Sequence, residues 1–137
     1  MKPNGFGVDS KDATYETYTS LSKLYILAEK LIDNTTKELV LAAISAHAKE
    51  MLSRDLNCIP PIESVQTIYE GTPEGSPARR LIVQIFTDNG SPSSLTTEVD
   101  DIPKDFLYEL SVSLISTRPV KERDTFNDKR AVWSFGS

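Results

Sequence analysis

Few side chains in this sequence have both the chemistry and the spacing of a reactive site. The chain holds one histidine, His47, and one cysteine, Cys58. A nucleophilic pair of these two residues would need a third group to orient the base, and no such group follows a recognisable pattern. One histidine and one cysteine are also too few for a tetrahedral zinc site. The sequence therefore predicts no catalytic residues, no metal site and no cofactor, and we expect a protein that is not an enzyme.

Acidic residues are concentrated in one part of the chain. Six carboxylates lie between Asp88 and Glu109, and Lys104 is the one cation among them. Three of them (Glu98, Asp100 and Asp101) could bind a hard cation, but the twelve-residue calcium loop with its glycine and terminal glutamate is missing. We interpret the segment as a solvated acidic loop, with a partner surface as the alternative.

A turn ahead of a predicted helix has some features of a phosphate-binding site. Residues 71–77 are rich in glycine, proline and hydroxyl side chains, and Arg79 and Arg80 follow in the first helical turn. Backbone N–H groups at a helix start can bind an anion, and two arginines would add charge. A capped turn between helices with two solvent-facing arginines is the simpler interpretation. Binding of a small molecule or phosphate at Thr72 to Arg80 is therefore the alternative function.

Two amphipathic helices organise the first half of the chain. The first is predicted to begin near Thr14 and to bury one stripe of side chains at helical spacing. The second is predicted to begin at Thr35, an N-cap whose capping-box partner is Glu38. A link of about three residues, from Asp33 to Thr35, makes the two helices antiparallel. The predicted buried residues are Leu21, Leu24, Tyr25, Ala28, Leu31 and Ile32 in the first helix and Val40, Leu41, Ile44, Ala48 and Met51 in the second.

Prolines and glycines then divide the chain into shorter helices. Residues 57–61 (NCIPP) form a break after the second helix and lead to a short third helix. Ser76 with Pro77 at N1 begins a fourth. A strand over residues 81–86 is the alternative there. A long acidic loop leads to a fifth helix from Pro103, which ends at Arg118. The predicted apolar sides are Ile62, Val65, Ile68 and Tyr69; Ala78, Leu81, Ile82, Ile85 and Phe86; and Phe106, Leu107, Leu110 and Leu114.

Length and composition favour one domain. At 137 residues with 39% hydrophobic residues, the chain is long enough to bury a single core. The sequence thus predicts an all-α domain of about five helices over residues 14–117. A flexible leader, residues 1–13, would precede it, and a tail, residues 118–137, would follow. Trp133 in that tail is expected to dock on a hydrophobic groove.

Charge and cysteine content limit the partners and the cellular compartment that we expect. A net charge of −5 opposes binding to a nucleic-acid backbone. One cysteine excludes an internal disulfide, and no apolar run is long enough for a signal peptide or a membrane span. We therefore expect a cytoplasmic or nuclear protein that binds neither nucleic acid nor membrane. A secreted effector-like protein is the weaker alternative.

Three segments together resemble a known family. Residues 24–31 (LYILAEKL) are similar to a run that follows the BTB/POZ core in many fungal BTB-domain proteins. Residues 68–81 (IYEGTPEGSPARRL) are similar to their I-Y-E-x-T-P-x-x-S-x-x-R-x-L stretch, and residues 103–110 (PKDFLYEL) to their closing P-x-x-F-L-x-x-L helix. The resemblance covers about residues 20–117 and corresponds to the BACK-like helical region without the BTB core.

The resemblance implies a noncatalytic interaction module of an adaptor. Its partner would be a protein, either a BTB core or a component of a cullin ubiquitin ligase. The candidate partner contacts are Tyr18, Tyr25, Arg79 and Arg80. If a groove is left open where the BTB core would pack, apolar surface at Tyr15, Tyr18 and Tyr25 predicts self-association into a homo-oligomer.

Overall fold

The fold is known from a computed structural model that describes residues 4–95 and 99–119, with side chains described from residue 13 onward. Within these ranges the chain forms five α-helices and no strand, which confirms the all-α prediction. The strand alternative for residues 81–86 is wrong, because those residues lie inside the fourth helix. The helices are α1 Asn4–Lys30, α2 Asn34–Ser53, α3 Ile62–Gly71, α4 Pro77–Asn89 and α5 Lys104–Ser116, with 3-10 turns at Pro92–Leu95 and Val99–Asp101.

Helices α1 and α2 form the predicted antiparallel pair. Near their connection, Lys37 of α2 forms an ion pair with Glu29 of α1 at 2.8 Å. At the opposite end, the Thr14 hydroxyl donates to the Met51 sulfur at 3.3 Å. Helix α3 packs on α1, and α5 packs on α4. The interior between the helices is closed by large apolar and aromatic side chains, including Tyr18, Tyr25, Ile44, Val65, Ile68, Ile82 and Phe106.

The connection between α1 and α2 differs from the prediction in one respect. The N-cap of α2 is Asp33, not Thr35, and its carboxylate accepts from the Thr36 hydroxyl and backbone N–H. These bonds lower the pKa of Asp33. A carboxylate accepts from a helix N-terminus more strongly than a hydroxyl does, because its charge assists the bond. The Asp33 carboxylate and Thr36 therefore form the cap that was predicted for Thr35 and Glu38.

The same connection holds Ile32 in an unusual conformation. The Asp33 N–H bonds to the Ala28 carbonyl and the Ile32 N–H to the Glu29 carbonyl. This is the Schellman arrangement, in which the residue after the helix C-cap takes a left-handed conformation that favours glycine. Here that residue is Ile32, with φ 54° and 80% of its surface exposed. A β-branched residue is strained in this region, and it gains little from burial to compensate.

Helix α1 begins earlier than predicted and buries only part of the predicted stripe, namely Tyr25, Ala28 and, in part, Leu21. It starts at Asn4 and not near Thr14, so a helical backbone extends through most of the predicted leader. Its buried face comprises Thr14, Tyr18, Ser22, Tyr25 and Ala28, while Leu24, Leu31 and Ile32 are exposed. Ser22 can be buried because its hydroxyl donates to the Tyr18 carbonyl at 2.8 Å. The buried stripe is therefore rotated toward the tyrosines and away from the leucines.

The later helices follow the prediction closely, with one exception. Ser76 is the N-cap of α4, with Pro77 at N1, as predicted. In α5, Phe106 and Leu110 are buried, but Leu114 is 45% exposed. Gly71, at the end of α3, lies so near α1 that an added Cβ would come within 2.5 Å of Ile26. The predicted docking of Trp133 concerns residues 120–137, which lie outside the described part of the chain.

Replacing Ile32 by glycine should stabilise the protein. Glycine adopts the left-handed conformation without the steric cost that a β-branched side chain bears, so we expect the free energy of unfolding to rise by about 1 kcal/mol. Urea unfolding would measure the change. The matched control is Asp55→Gly, since Asp55 occupies the equivalent position after α2 with φ 59°, and aspartate tolerates this region better. A loss of stability in Ile32→Gly, or an equal gain in both variants, would contradict the strain assigned to Ile32.

Candidate functional site

Two of the four predicted contact residues belong to the core. Tyr18 and Tyr25 are 1% and 0% exposed, so neither presents its side chain to a partner in this fold. The Tyr18 hydroxyl donates to the Cys58 carbonyl and ties α1 to the segment before α3. Burial raises the pKa of Tyr18 far above its ordinary value. The prediction that Tyr18 and Tyr25 contact a partner is therefore corrected: in this fold both are structural residues. The predicted self-association cannot depend on exposed surface at these two tyrosines.

Arg79 is also buried, and it closes the end of the preceding helix. Its Nη2 donates to the carbonyls of Tyr69, at 2.9 Å, and Thr72, at 2.6 Å. Its Nε donates to the Thr72 hydroxyl at 3.1 Å. The last carbonyls of a helix lack partners within the helix and attract positive charge, so an arginine from α4 satisfies both needs of α3. Arg79 is a structural residue in this fold, which corrects its prediction as a partner contact.

The Arg79 guanidinium also contacts α3 and α5 side chains. It lies over the Tyr69 ring, 4.4 Å from its centre, in a cation–π contact. The Tyr69 hydroxyl donates to Glu109 of α5. Burial, followed by the bond to Glu109, raises the pKa of Tyr69 well above its usual range. Asp105 is more distant, 3.8 Å from Nη1, and its carboxylate is mostly exposed. One buried cation therefore links three helices.

The turn between α3 and α4 uses its hydroxyl groups for its own structure. The Thr72 hydroxyl donates to the Ile68 carbonyl at 2.6 Å, and the Ser76 hydroxyl accepts from the Ala78 N–H at 3.1 Å. Gly75 adopts φ 85°, which the turn requires. Arg80 is exposed and donates to the Gly75 carbonyl. A phosphate at this turn would therefore meet Arg80 as the one arginine of the pair that faces solvent.

His47 is half-buried beside Tyr18, and Cys58 lies in the core. The His47 ring packs edge-on against Tyr18, with ring centres 4.8 Å apart. Cys58 is buried, and burial raises the pKa of its thiol. A nucleophilic cysteine needs the opposite shift, toward the thiolate. Among the residues that the structure describes, no three acidic, histidine or cysteine side chains come together as a metal site. No helix in the described ranges is long and apolar enough to span a bilayer.

A surface that the sequence analysis missed lies at the end of α1. Leu24, Leu27 and Leu31 are spaced so that they share one helix face, and Ile32 follows in the turn. All four are exposed, between 43% and 80%. We call these four residues the α1 patch. Lys23 and Lys30 are exposed on the same helix and flank it with positive charge. The apolar character of Leu24, Leu31 and Ile32 is visible in the sequence, but their helical spacing predicts that they are buried in the core.

A second exposed stripe lies on α5. Tyr108, Val112 and Ile115 are spaced by four and three residues and are 69%, 47% and 63% exposed. Tyr108 and Val112 also line a cavity of about 370 Å³ between α4 and α5, together with Val83, Arg80, Gln84 and Glu109. We call this cavity the α4–α5 groove. Of the predicted contact residues, Arg80 alone combines exposure with a place on an apolar surface.

Removing Arg79 should destabilise the protein far more than removing Arg80. In Arg79→Met the carbonyls of Tyr69 and Thr72 lose charged hydrogen bonds in a buried place, and we expect a loss of about 2–4 kcal/mol in the free energy of unfolding. Arg80→Met, the matched control, should change it by less than about 0.5 kcal/mol. Chemical unfolding of both variants measures the difference. Equal effects would show that Arg79 does not hold the helices together.

The buried tyrosines predict a loss of stability in alkali. Tyrosine in the unfolded chain titrates near pH 10, whereas the raised pKa values keep Tyr18 and Tyr69 protonated in the folded chain. Above about pH 10 the unfolded state therefore binds fewer protons, and stability falls by about 1.4 kcal/mol per pH unit for each residue. Below about pH 10 both tyrosines are protonated in the folded and the unfolded state, so their contribution to stability does not change with pH. Urea unfolding as a function of pH should give a shallower alkaline slope for Tyr69→Phe; an unchanged slope would contradict the assignment.

Comparison with protein-family models, curated proteins and solved structures found no match to this chain. The resemblance to fungal BTB/POZ proteins therefore rests on the three sequence segments alone. The structure does explain one of them in physical terms. In residues 68–81 the motif residues Thr72, Ser76 and Arg79 cap the end of α3 and the start of α4. That stretch therefore forms the connection between α3 and α4, and the hydrogen bonds within this connection account for its residue types.

Proposed function

We propose that this chain is a noncatalytic protein–protein interaction module that binds its partner through the α1 patch. The observation that carries the proposal is the row of Leu24, Leu27 and Leu31 exposed on one face beside Ile32. Exposed apolar residues scattered singly are ordinary on soluble proteins, but a contiguous group on one helix face is typical of a binding surface.

The conformation of Ile32 supports the same surface. Glycine or asparagine would fit its left-handed backbone at lower cost, and a polar residue would suit its exposure. An isoleucine there is unfavourable on both counts in the free chain. Residues with a strained backbone are concentrated at functional sites. A partner that covers the Ile32 side chain would offset this cost by burying it.

The charges beside the patch indicate the chemistry of the partner. Lys23 and Lys30 lie on the helix that carries the leucines, seven residues apart, and so on the same side. An amphipathic segment with an apolar face and flanking acidic residues would complement this arrangement. The resemblance to fungal BTB/POZ proteins makes a BTB core or a cullin-ligase component the first partner to test. The cytoplasm or nucleus is the proposed location, in keeping with the single buried cysteine.

Leu27→Asp should abolish partner binding without unfolding the protein. An aspartate in the middle of the patch would be buried unpaired at the interface, so we expect capture of the partner to fall about tenfold or more. The measurement is affinity capture from a fungal extract with the tagged full chain, followed by mass spectrometry. Purified BTB-core and cullin proteins would then be tested directly for binding.

The chain offers a closely matched control for this substitution. Leu52 is 54% exposed, against 52% for Leu27, and each lies in the last turn of its helix. Since the helices are antiparallel, Leu52 lies at the other end of the pair. Leu52→Asp should therefore retain the partner. Recovery of the same proteins by wild type and Leu27→Asp would refute the α1 patch as the binding surface.

A further inference from the structure

The α4–α5 groove is a second surface, separate from the α1 patch. Helix α1 packs on α2 and α3, whereas α5 packs on α4 and α3. Its lining combines the apolar side chains of Val83, Tyr108 and Val112 with polar ones that include Arg80 and Glu109. Ile115 extends its apolar surface toward the C-terminal end of α5. An apolar segment that enters at Ile115 and runs back along α5 would meet the groove.

The chain itself supplies a segment of this kind. Residues 120–137 follow α5 after a short connection, and residues 131–135 (AVWSF) include the one tryptophan of the protein. Trp133 follows Pro119 by fourteen positions, which can span about 46 Å when extended. Helix α5, with 13 residues, is about 20 Å long. Trp133 can therefore reach any part of the groove with chain to spare.

We propose that residues 131–135 bind in the α4–α5 groove, with Trp133 packed against Tyr108 and Val112. Arg130 precedes Trp133 by three residues and would pair with Glu109 at the rim. The Glu109 carboxylate accepts one bond from Tyr69 and keeps further acceptor positions for a guanidinium. The segment thus matches the groove in apolar character and in charge.

A tethered segment fits this surface better than a second copy of the chain. Stable interfaces between proteins involve about 20–30 residues a side, whereas the groove and its extension offer only a few apolar anchors. Tethering raises the effective concentration of the segment to the order of millimolar, so one aromatic anchor is sufficient. Docking of this segment in the groove does not depend on the α1 patch or on a partner bound there.

Trp133 is its own reporter, because its fluorescence is the only tryptophan emission of the full chain. If Trp133 is docked, emission should lie at shorter wavelength than in the denatured chain, and acrylamide should quench it weakly. Val112→Asp and Tyr108→Ser, two independent changes in the groove, should each shift the emission to longer wavelength and remove the protection from quenching. Leu27→Asp, on the α1 patch, should leave both unchanged. Circular dichroism confirms that each variant is folded.

Three results would overturn the inference. Emission of the folded wild type identical to that of the denatured chain would show that Trp133 is not docked. Protected emission that neither groove variant alters would place Trp133 elsewhere. Protection that disappears on dilution of the protein would assign the contact to a second copy. Protection that is independent of concentration and lost in both folded groove variants is the expected result.

Discussion

The fold depends on a buried cation placed where three helices meet. Arg79 cannot be dehydrated at low cost unless its donors are satisfied, and the carbonyls at the end of α3 cannot be buried unless they are given donors. The bonds from Arg79 to the Tyr69 and Thr72 carbonyls satisfy the donors of the guanidinium and the acceptors of the helix end at once. The turn from Thr72 to Ser76 is short, and it brings Arg79 of α4 against the last turn of α3. The path of the chain here is determined by hydrogen bonding as much as by hydrophobic packing.

An aromatic cluster extends this constraint to the last helix. The Tyr69 and Phe106 rings meet edge-on with centres 5.7 Å apart, and Phe86 meets Phe106 in the same way at 5.0 Å. Such contacts are directional, so they orient α5 on α3 and α4 in addition to burying area. With α5 anchored at Phe106 and Leu110 on one face, the opposite face with Tyr108, Val112 and Ile115 is left to solvent. The α4–α5 groove is thus a consequence of how the core holds α5.

The first half of the molecule shows the same relation between core and surface. Tyr18 and Tyr25, seven residues apart, lie on the buried side of α1, and they turn the leucines of the α1 patch outward. The connection that follows places a strained isoleucine beside those leucines. A sequence selected for the stability of this domain alone would place polar residues at these positions and glycine at the turn. Both exposed apolar surfaces therefore follow from which face of each helix the core covers.

Local patterns in the sequence were enough to predict the fold class, the antiparallel pair and the start of α4. Each depends on neighbours in the chain: helical periodicity, a short link, and Ser76 followed by Pro77. The candidate site could not be predicted in this way. Arg79 and Arg80 are adjacent arginines in the sequence, and only the position of α3 makes one structural and the other exposed. Likewise, α1 has apolar residues on two neighbouring stripes, and its own sequence does not say which one the other helices will cover. The local sequence thus determined the helices, whereas burial depends on contacts between distant residues, so only the tertiary structure decided which side chains remain available to a partner.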